Sequence, residues 1–248
     1  NLNSLVGNDG FNFIGTFFSY PSGEIGPFFV NGECVVKDPS VYYHSIQSLK
    51  HYAAEIIGAD KFDIISGGES RDWIFSNPLS LELNKPLRII YKDGREFGAD
   101  VHGKRVLHVS DLNNEGSSSR NLWVPSIRKN GGIIEHYLSY VDRLEKGVKV
   151  LQKLGIQSYS VVPLDESAWD KLLEWGQIEK NVYRTIRERM EDQDAWGIKM
   201  LKSEAGSKRL KELLEDPKSK DKANKVLDYY IPLDEEIIDS LTRNGVIF

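Results

Sequence analysis

The chain carries a single cysteine, Cys34, among 248 residues. That argues against a disulfide framework and against a zinc site built on thiolates, and it suits a reducing, cytoplasmic setting. A lone cysteine reads as a small buried apolar residue before it reads as a nucleophile. No apolar run approaches the ~20 residues of a membrane helix, and the N-terminus has no signal-peptide pattern. The chain opens on Asn1 rather than Met, which leaves its natural start open. Positive charge is also short: 32 Lys and Arg stand against 37 Asp and Glu, a formal charge of −5. A broad basic face of the kind that binds nucleic acid or anionic membrane is therefore not expected, although a local basic pocket remains permitted. His44, His51, His102, His108 and His136 show no metal-ligand spacing and read as core or surface residues.

What is present is a change of texture near Asp165. Before it, β-rich runs alternate with helical stretches. Residues 62–66, 87–91, 105–110, 133–141 and 158–164 are short and β-branched or aromatic, and read as strands. "DPSVYYHSIQSLKHYAAEIIG" reads as a helix capped by Asp38, with Pro39 in the first turn and Gly58 at its end. "EKGVKVLQKLG" is another, closed by Gly155. Such alternation implies an α/β fold with a parallel sheet covered on both faces. From Ser167 to Phe248, apolar positions recur at helical spacing in "AWDKLLEW", "VYRTIRERM", "SKRLKELLED", "KANKVLDYY" and "LDEEIIDSLTRNG". These predict an all-helical C-terminal extension, in which Trp169, Trp175 and Trp196 pack the helices. The expected division is residues 1–166 and 167–248.

In a parallel α/β sheet, ligands bind outside the carboxyl ends of the strands, so the loops leaving those ends draw attention. In "SGGESRDW", Gly67 and Gly68 permit close backbone approach, the amides leading into the next helix form an anion site, and Arg71 adds a fixed positive charge. A tight strand-to-helix turn would use the same residues. In "SDLNNEGSSS", Asp111 can accept from sugar hydroxyls or metal-bound water, and the Gly116 amides with Ser117 and Ser118 can wrap a phosphate. A capped polar turn is the alternative. "YKDGREFGADVHGK" is Gly-rich and basic at Lys92, Arg95 and Lys104. It reads either as a mobile loop that closes over phosphates or as an exposed hairpin.

These loops, in this order, resemble those of the type I phosphoribosyltransferases. "YVDRLEKGVKVLQKLGI" sharpens the match: Asp142, Arg143, Glu145 and Gly147 stand where orotate phosphoribosyltransferases read V-D-R-x-E-x-G. "SGEIGPFFVN" is similar to their S-G-x-x-S-P-x-F segment and brings Phe28 and Phe29. The resemblance covers roughly Phe13 to Asp165. It implies a type I phosphoribosyltransferase-like sheet flanked by helices and transfer of ribose 5-phosphate from phosphoribosyl diphosphate to orotate. By the same resemblance Gly67, Gly68 and Arg71 face the diphosphate, and Lys92 and Arg95 close over the leaving group. Asp111 holds the ribose hydroxyls, Gly116, Ser117 and Ser118 hold the 5-phosphate, and Arg143 with Phe28 and Phe29 orients the base. Magnesium arrives on the substrate, and a homodimer is the family's habit.

The sequence departs from the pattern in places. The family's two adjacent acids are here Ser110–Asp111. Asn114–Glu115 replace its threonine region, with Glu115 the candidate substitute for the lost acid. Tyr91 and Phe97 replace a basic residue and a His of the mobile loop, and Pro21 replaces a Lys. These changes support a second expectation: a protein that binds phosphoribosyl diphosphate or a nucleotide as a sensor but turns it over poorly. A third is action on another base.

Overall fold

The computed structural model describes residues 1–246. Strands β1 (Phe11–Ser19) and β2 (Ile25–Val30) pair as an antiparallel hairpin. Six more, β3 (Ile64–Gly68), β4 (Leu87–Ile90), β5 (Glu96–Gly98), β6 (Arg105–Asn113), β7 (Ile133–Asp142) and β8 (Gln157–Pro163), form one sheet in the order β5-β4-β3-β6-β7-β8. The pairs β4–β3, β3–β6, β6–β7 and β7–β8 are parallel, and only the edge pair β4–β5 is antiparallel. The mixed sheet and its flanking helices match the α/β expectation.

The chain forms two compact units, one of Asn1–Gly10 with Asn31–Ala168, the other of Phe11–Val30 with Trp169–Phe248. The C-terminal border falls two residues from the expected one. The N-terminal side differs, because the β1–β2 hairpin groups with the C-terminal helices.

In the first unit, α1 (Leu2–Val6) is followed by α2 (Pro39–His51), which starts as the sequence predicts: the Asp38 carboxylate accepts from the Ser40 and Val41 amides. A wide turn over Tyr52–Gly58 then ends on Gly58 at φ +103°. With α3 (Asp72–Glu82), α2 covers one sheet face, where Phe75 stacks on Tyr140 at 4.8 Å and Ser45 bonds the Tyr140 hydroxyl at 2.8 Å. The other face is filled by Trp123, Val124 and Ile127 at α4 (Val124–Lys129) and Leu151 of α5 (Lys146–Lys153), against Ile64, Val106 and Tyr137. Both faces are therefore buried, which places any ligand at the sheet's ends.

Helix α6 (Glu166–Glu174) leads into the second unit, followed by α7 (Lys180–Glu191), α8 (Gln193–Lys202), α9 (Glu204–Glu215), α10 (Lys220–Tyr230) and α11 (Glu236–Arg243). Its core joins Phe17 and Ile25 of the hairpin to Trp196, Leu201, Leu210, Val226, Tyr230 and Leu241. The Arg189 Nε donates to the Ile25 carbonyl at 2.9 Å. Trp169 and Trp196 are buried as expected, whereas Trp175 is 40% exposed and packs no core. Among the described residues no helix is long and apolar enough to cross a membrane. Cys34 is buried and desolvation pushes its thiol up to about 11, in keeping with a small packed residue.

Candidate active site

Gly67 and Gly68 are strand residues rather than loop residues: they pair with Ile89 and Ile90 of β4. Their lack of a side chain is used for packing. A Cβ on Gly67 would stand 2.2 Å from the Ser76 hydroxyl, and one on Gly68 would stand 2.4 Å from the Trp123 ring and 2.8 Å from an Asp72 carboxylate oxygen. The chain leaves β3 through Glu69–Arg71 and enters α3 at Asp72. Asp72 is only 6% exposed. Its Oδ2 accepts from the Gly68 amide at 3.0 Å and its Oδ1 from the Asp111 amide at 3.1 Å, which ties the β3 and β6 loops together. Arg71 is half exposed and pairs with Glu33 at 3.3 Å.

Behind Asp72 lies His108, in the middle of β6. Its Nδ1 is 2.9 Å from the Ser66 hydroxyl, and its Nε2 is 3.6 Å from Asp72 Oδ2. The ring is stacked on Tyr137 and Trp123. Asp111 is the acid the sequence singled out. Burial and the adjacent Asp72 carboxyl raise its pKa well above the usual carboxylate range, and Arg71 partly counters them.

The end of β6 is stitched to the segment after β7. The Asn113 amide donates to Asp142 at 2.8 Å, the Arg143 N–H to the Asn113 carbonyl at 3.0 Å, and the Gly147 N–H to the Asn114 carbonyl at 2.8 Å. Burial pushes the Asp142 carboxyl up, while Asn113 and the Leu144 amide pull it back. Glu115 is half-buried just beyond. Gly116 has φ +66° and lies against Val150 and Gly147, a position where a side chain would be both strained and crowded. Ser117 and Ser118 follow, exposed, at the start of the helical stretch that continues into α4. The first amides of such a stretch have no partner within it, and so they can receive an anion.

Lys92 and Arg95 sit in the turn between β4 and β5. This is a tight hairpin rather than a long loop, closed by Tyr91 N–H to the Arg95 carbonyl and Gly94 N–H to the Tyr91 carbonyl. The exposed hairpin was one of the two sequence readings. Arg95 bonds Asp93 at 2.7 Å and lies over the Tyr91 ring. The Lys92 amide donates to Glu69 at 2.8 Å, which holds the turn beside the β3 loop. Arg143 is buried and its guanidinium donates to Glu145 at 2.7 Å. Phe28 and Phe29 belong to the second unit, where Phe28 meets Trp169 edge-on at 4.8 Å and Phe29 lies 6.2 Å from Phe18.

No protein-family model matches the chain. It is 30% identical over 155 residues to the orotate phosphoribosyltransferase of Sulfolobus acidocaldarius, covering 60% of this chain and 76% of that one. The chain belongs to the type I phosphoribosyltransferases, on their orotate phosphoribosyltransferase-like branch. An adenine phosphoribosyltransferase of Aliivibrio fischeri is also 30% identical, over 172 residues, 60% of this chain and 91% of that one. Among solved structures, the orotate phosphoribosyltransferase from Aeropyrum pernix superposes with a TM-score of 0.61 at 22% identity, over 69% of this chain and 98% of that one. The UMP synthase of Leishmania donovani gives 0.67 at 22% identity over 75% of this chain, which spans only 40% of that longer protein.

Within this phosphoribosyltransferase the loops after β3, β6 and β7 meet at one end of the sheet. Two residues there escaped sequence reading. Asp72 was passed over as part of a turn. His108 reads as an ordinary core histidine; it is buried, and it faces the Asp72 carboxylate. A histidine between Leu107 and Val109 in an apolar strand was the available signal, since a buried imidazole needs a partner. The partner lies 36 positions upstream, beyond what spacing can show.

Proposed function

We propose that the chain transfers ribose 5-phosphate from phosphoribosyl diphosphate to orotate and releases pyrophosphate. The observation that carries this reading is the set of bonds joining Gly68, Asp72 and Asp111, and Asn113 with Asp142, at the carboxyl end of a parallel sheet. A transition state with oxocarbenium character asks for positioning and charge stabilisation more than for covalent chemistry. Asp111 would accept from the ribose hydroxyls. The amides from Gly116 onward, with the Ser117 and Ser118 hydroxyls, would take the 5-phosphate. The chain end at Gly68, with Arg71, would face the diphosphate, and Lys92 and Arg95 its departing side. Arg143 would orient the base, its bond to Glu145 fixing the plane of the guanidinium. Magnesium is proposed to come with the substrate, because it takes phosphate oxygens and water more readily than a protein cage. The carboxyl-rich rim at Asp72 and Asp111 suits hydrogen bonds from its waters. A homodimer remains part of this reading.

The orotate assignment rests on Arg143 within the V-D-R-x-E-x-G segment. A second reading, binding with weak turnover, is favoured by the β4–β5 turn, whose Arg95 is committed to Asp93. Following orotate absorbance with phosphoribosyl diphosphate and Mg²⁺ separates the two. Loss of absorbance that disappears in Arg143→Ala supports orotate transfer. Tight binding of phosphoribosyl diphosphate in calorimetry without any loss of absorbance supports the second reading or another base.

A further inference from the structure

We propose that Asp72 is the second carboxyl of the sugar site, gripping the ribose diol together with Asp111 and held in place by His108. The inference rests on the phosphoribosyl-transfer reading above and adds a residue outside the resemblance.

A vicinal diol presents two hydroxyl donors at fixed spacing and is best held by two strong acceptors. β6 supplies one, Asp111. The residue before it, Ser110, is 4% exposed and turns its hydroxyl inward to the Leu112 carbonyl at 3.2 Å, so it offers the ligand nothing. Asp72 brings a carboxyl to Asp111 from a different element, its Oδ1 accepting from the Asp111 amide at 3.1 Å. The Gly68 and Asp111 amides each take one Asp72 oxygen, and each of those oxygens keeps a lone pair that a ligand hydroxyl can use. Two carboxyls side by side repel when both are charged, and such arrangements gather at functional sites.

His108 is the independent observation. Its side chain is 1% exposed and its Nε2 has no hydrogen-bond partner, yet it is aimed at Asp72 Oδ2 from 3.6 Å. Ser66 fixes the opposite edge of the ring at 2.9 Å. A buried ring nitrogen left without a hydrogen bond is costly. Here it is placed so that a small inward shift of Asp72 on ligand binding would complete the bond. Asp72 would touch the sugar; His108 acts through it and is a positioning residue.

The test compares ribose 5-phosphate with 2-deoxyribose 5-phosphate by calorimetry on the full chain. The parent should prefer the diol, and Asp72→Asn should reduce that preference about tenfold or more, the size of a hydrogen bond to a charged group. The 5-phosphate contribution should stay intact, so 2-deoxyribose 5-phosphate binds both proteins alike. An unchanged preference in Asp72→Asn overturns the role of Asp72 while leaving phosphoribosyl transfer standing. Failure of either sugar phosphate to bind the parent overturns both. Carboxyl-¹³C NMR of aspartate-labelled parent protein decides the matter without substitution. The Asp72 signal should move with ribose 5-phosphate and much less with the deoxy sugar, and equal shifts with both overturn the inference.

Discussion

Gly68 shows how tightly single residues are set in this site. Between the Trp123 ring and the Asp72 carboxylate there is no room for a methyl group. Gly68→Ala should therefore cost about 1–3 kcal/mol, the usual penalty of overpacking, measured by urea denaturation. It should also weaken phosphoribosyl diphosphate binding, because Asp72 must move. Asp111 allows a prediction with a definite sign. A carboxyl whose folded pKa is raised contributes stability below its unfolded pKa, about 3.9, and that contribution is lost as pH climbs towards the folded value. Asp111→Asn should thus melt higher than the parent at pH 7, with the gap closing as pH falls towards 4. Lys92→Ala and Arg95→Ala should leave stability nearly untouched, both side chains being exposed. If these cations stabilise the departing diphosphate, each change lowers kcat by about 10²–10³-fold. Equal rates in parent and variants would remove the turn from the chemistry. Asp111, Gly116 and Arg143 were legible in the sequence because each lies in a contiguous motif. The Asp72–His108 contact was not, because it is made across two strands and no local pattern encodes it.

At the level of elements, the parallel strands were readable because burial on both faces makes them short apolar runs bounded by turns. The β1–β2 hairpin was not. "FNFIGTFFS" carries aromatics on both faces and a glycine at its centre, and its pairing with β2 slips register between Phe13 and Phe18. The alternation that betrays a half-buried strand is thereby blurred. Helix α8 was missed for a similar reason: Gly197 interrupts it, at a point where a Cβ would run into Tyr230. The start of α9 is better defined. The Ser203 hydroxyl accepts from the Gly206 amide at 3.0 Å, and Gly206 itself lies against the Met200 carbonyl. Ser203→Ala should cost about 1 kcal/mol, as loss of an N-cap usually does, and should lower the melting temperature without altering substrate binding.

For the whole molecule, the division matters more than its length. A sequence-based cut at Asp165 would seem to release an intact phosphoribosyltransferase unit. It would instead strip Phe17 and Ile25 of the helices that cover them, Leu210, Val226 and Tyr230 among others. A chain ending at Asp165 should therefore elute as soluble aggregate in gel filtration and bind a hydrophobic dye, and a sharp monomer or dimer peak without dye binding would contradict this. Removing Phe11–Val30 as well, with Gly10 joined to Asn31, should relieve the aggregation.

The same interleaving dictates an order of events during synthesis. The hairpin emerges from the ribosome first, while the helices that bury it lie beyond Ala168. At ~5–20 residues per second that interval is on the order of ten seconds. Closing so long a loop adds little entropic cost, since each doubling of length costs only ~0.6 kcal/mol. The hazard is kinetic: for that interval an aromatic, edge-bearing ribbon has no native partner, and it is the segment where a nascent-chain chaperone would matter most.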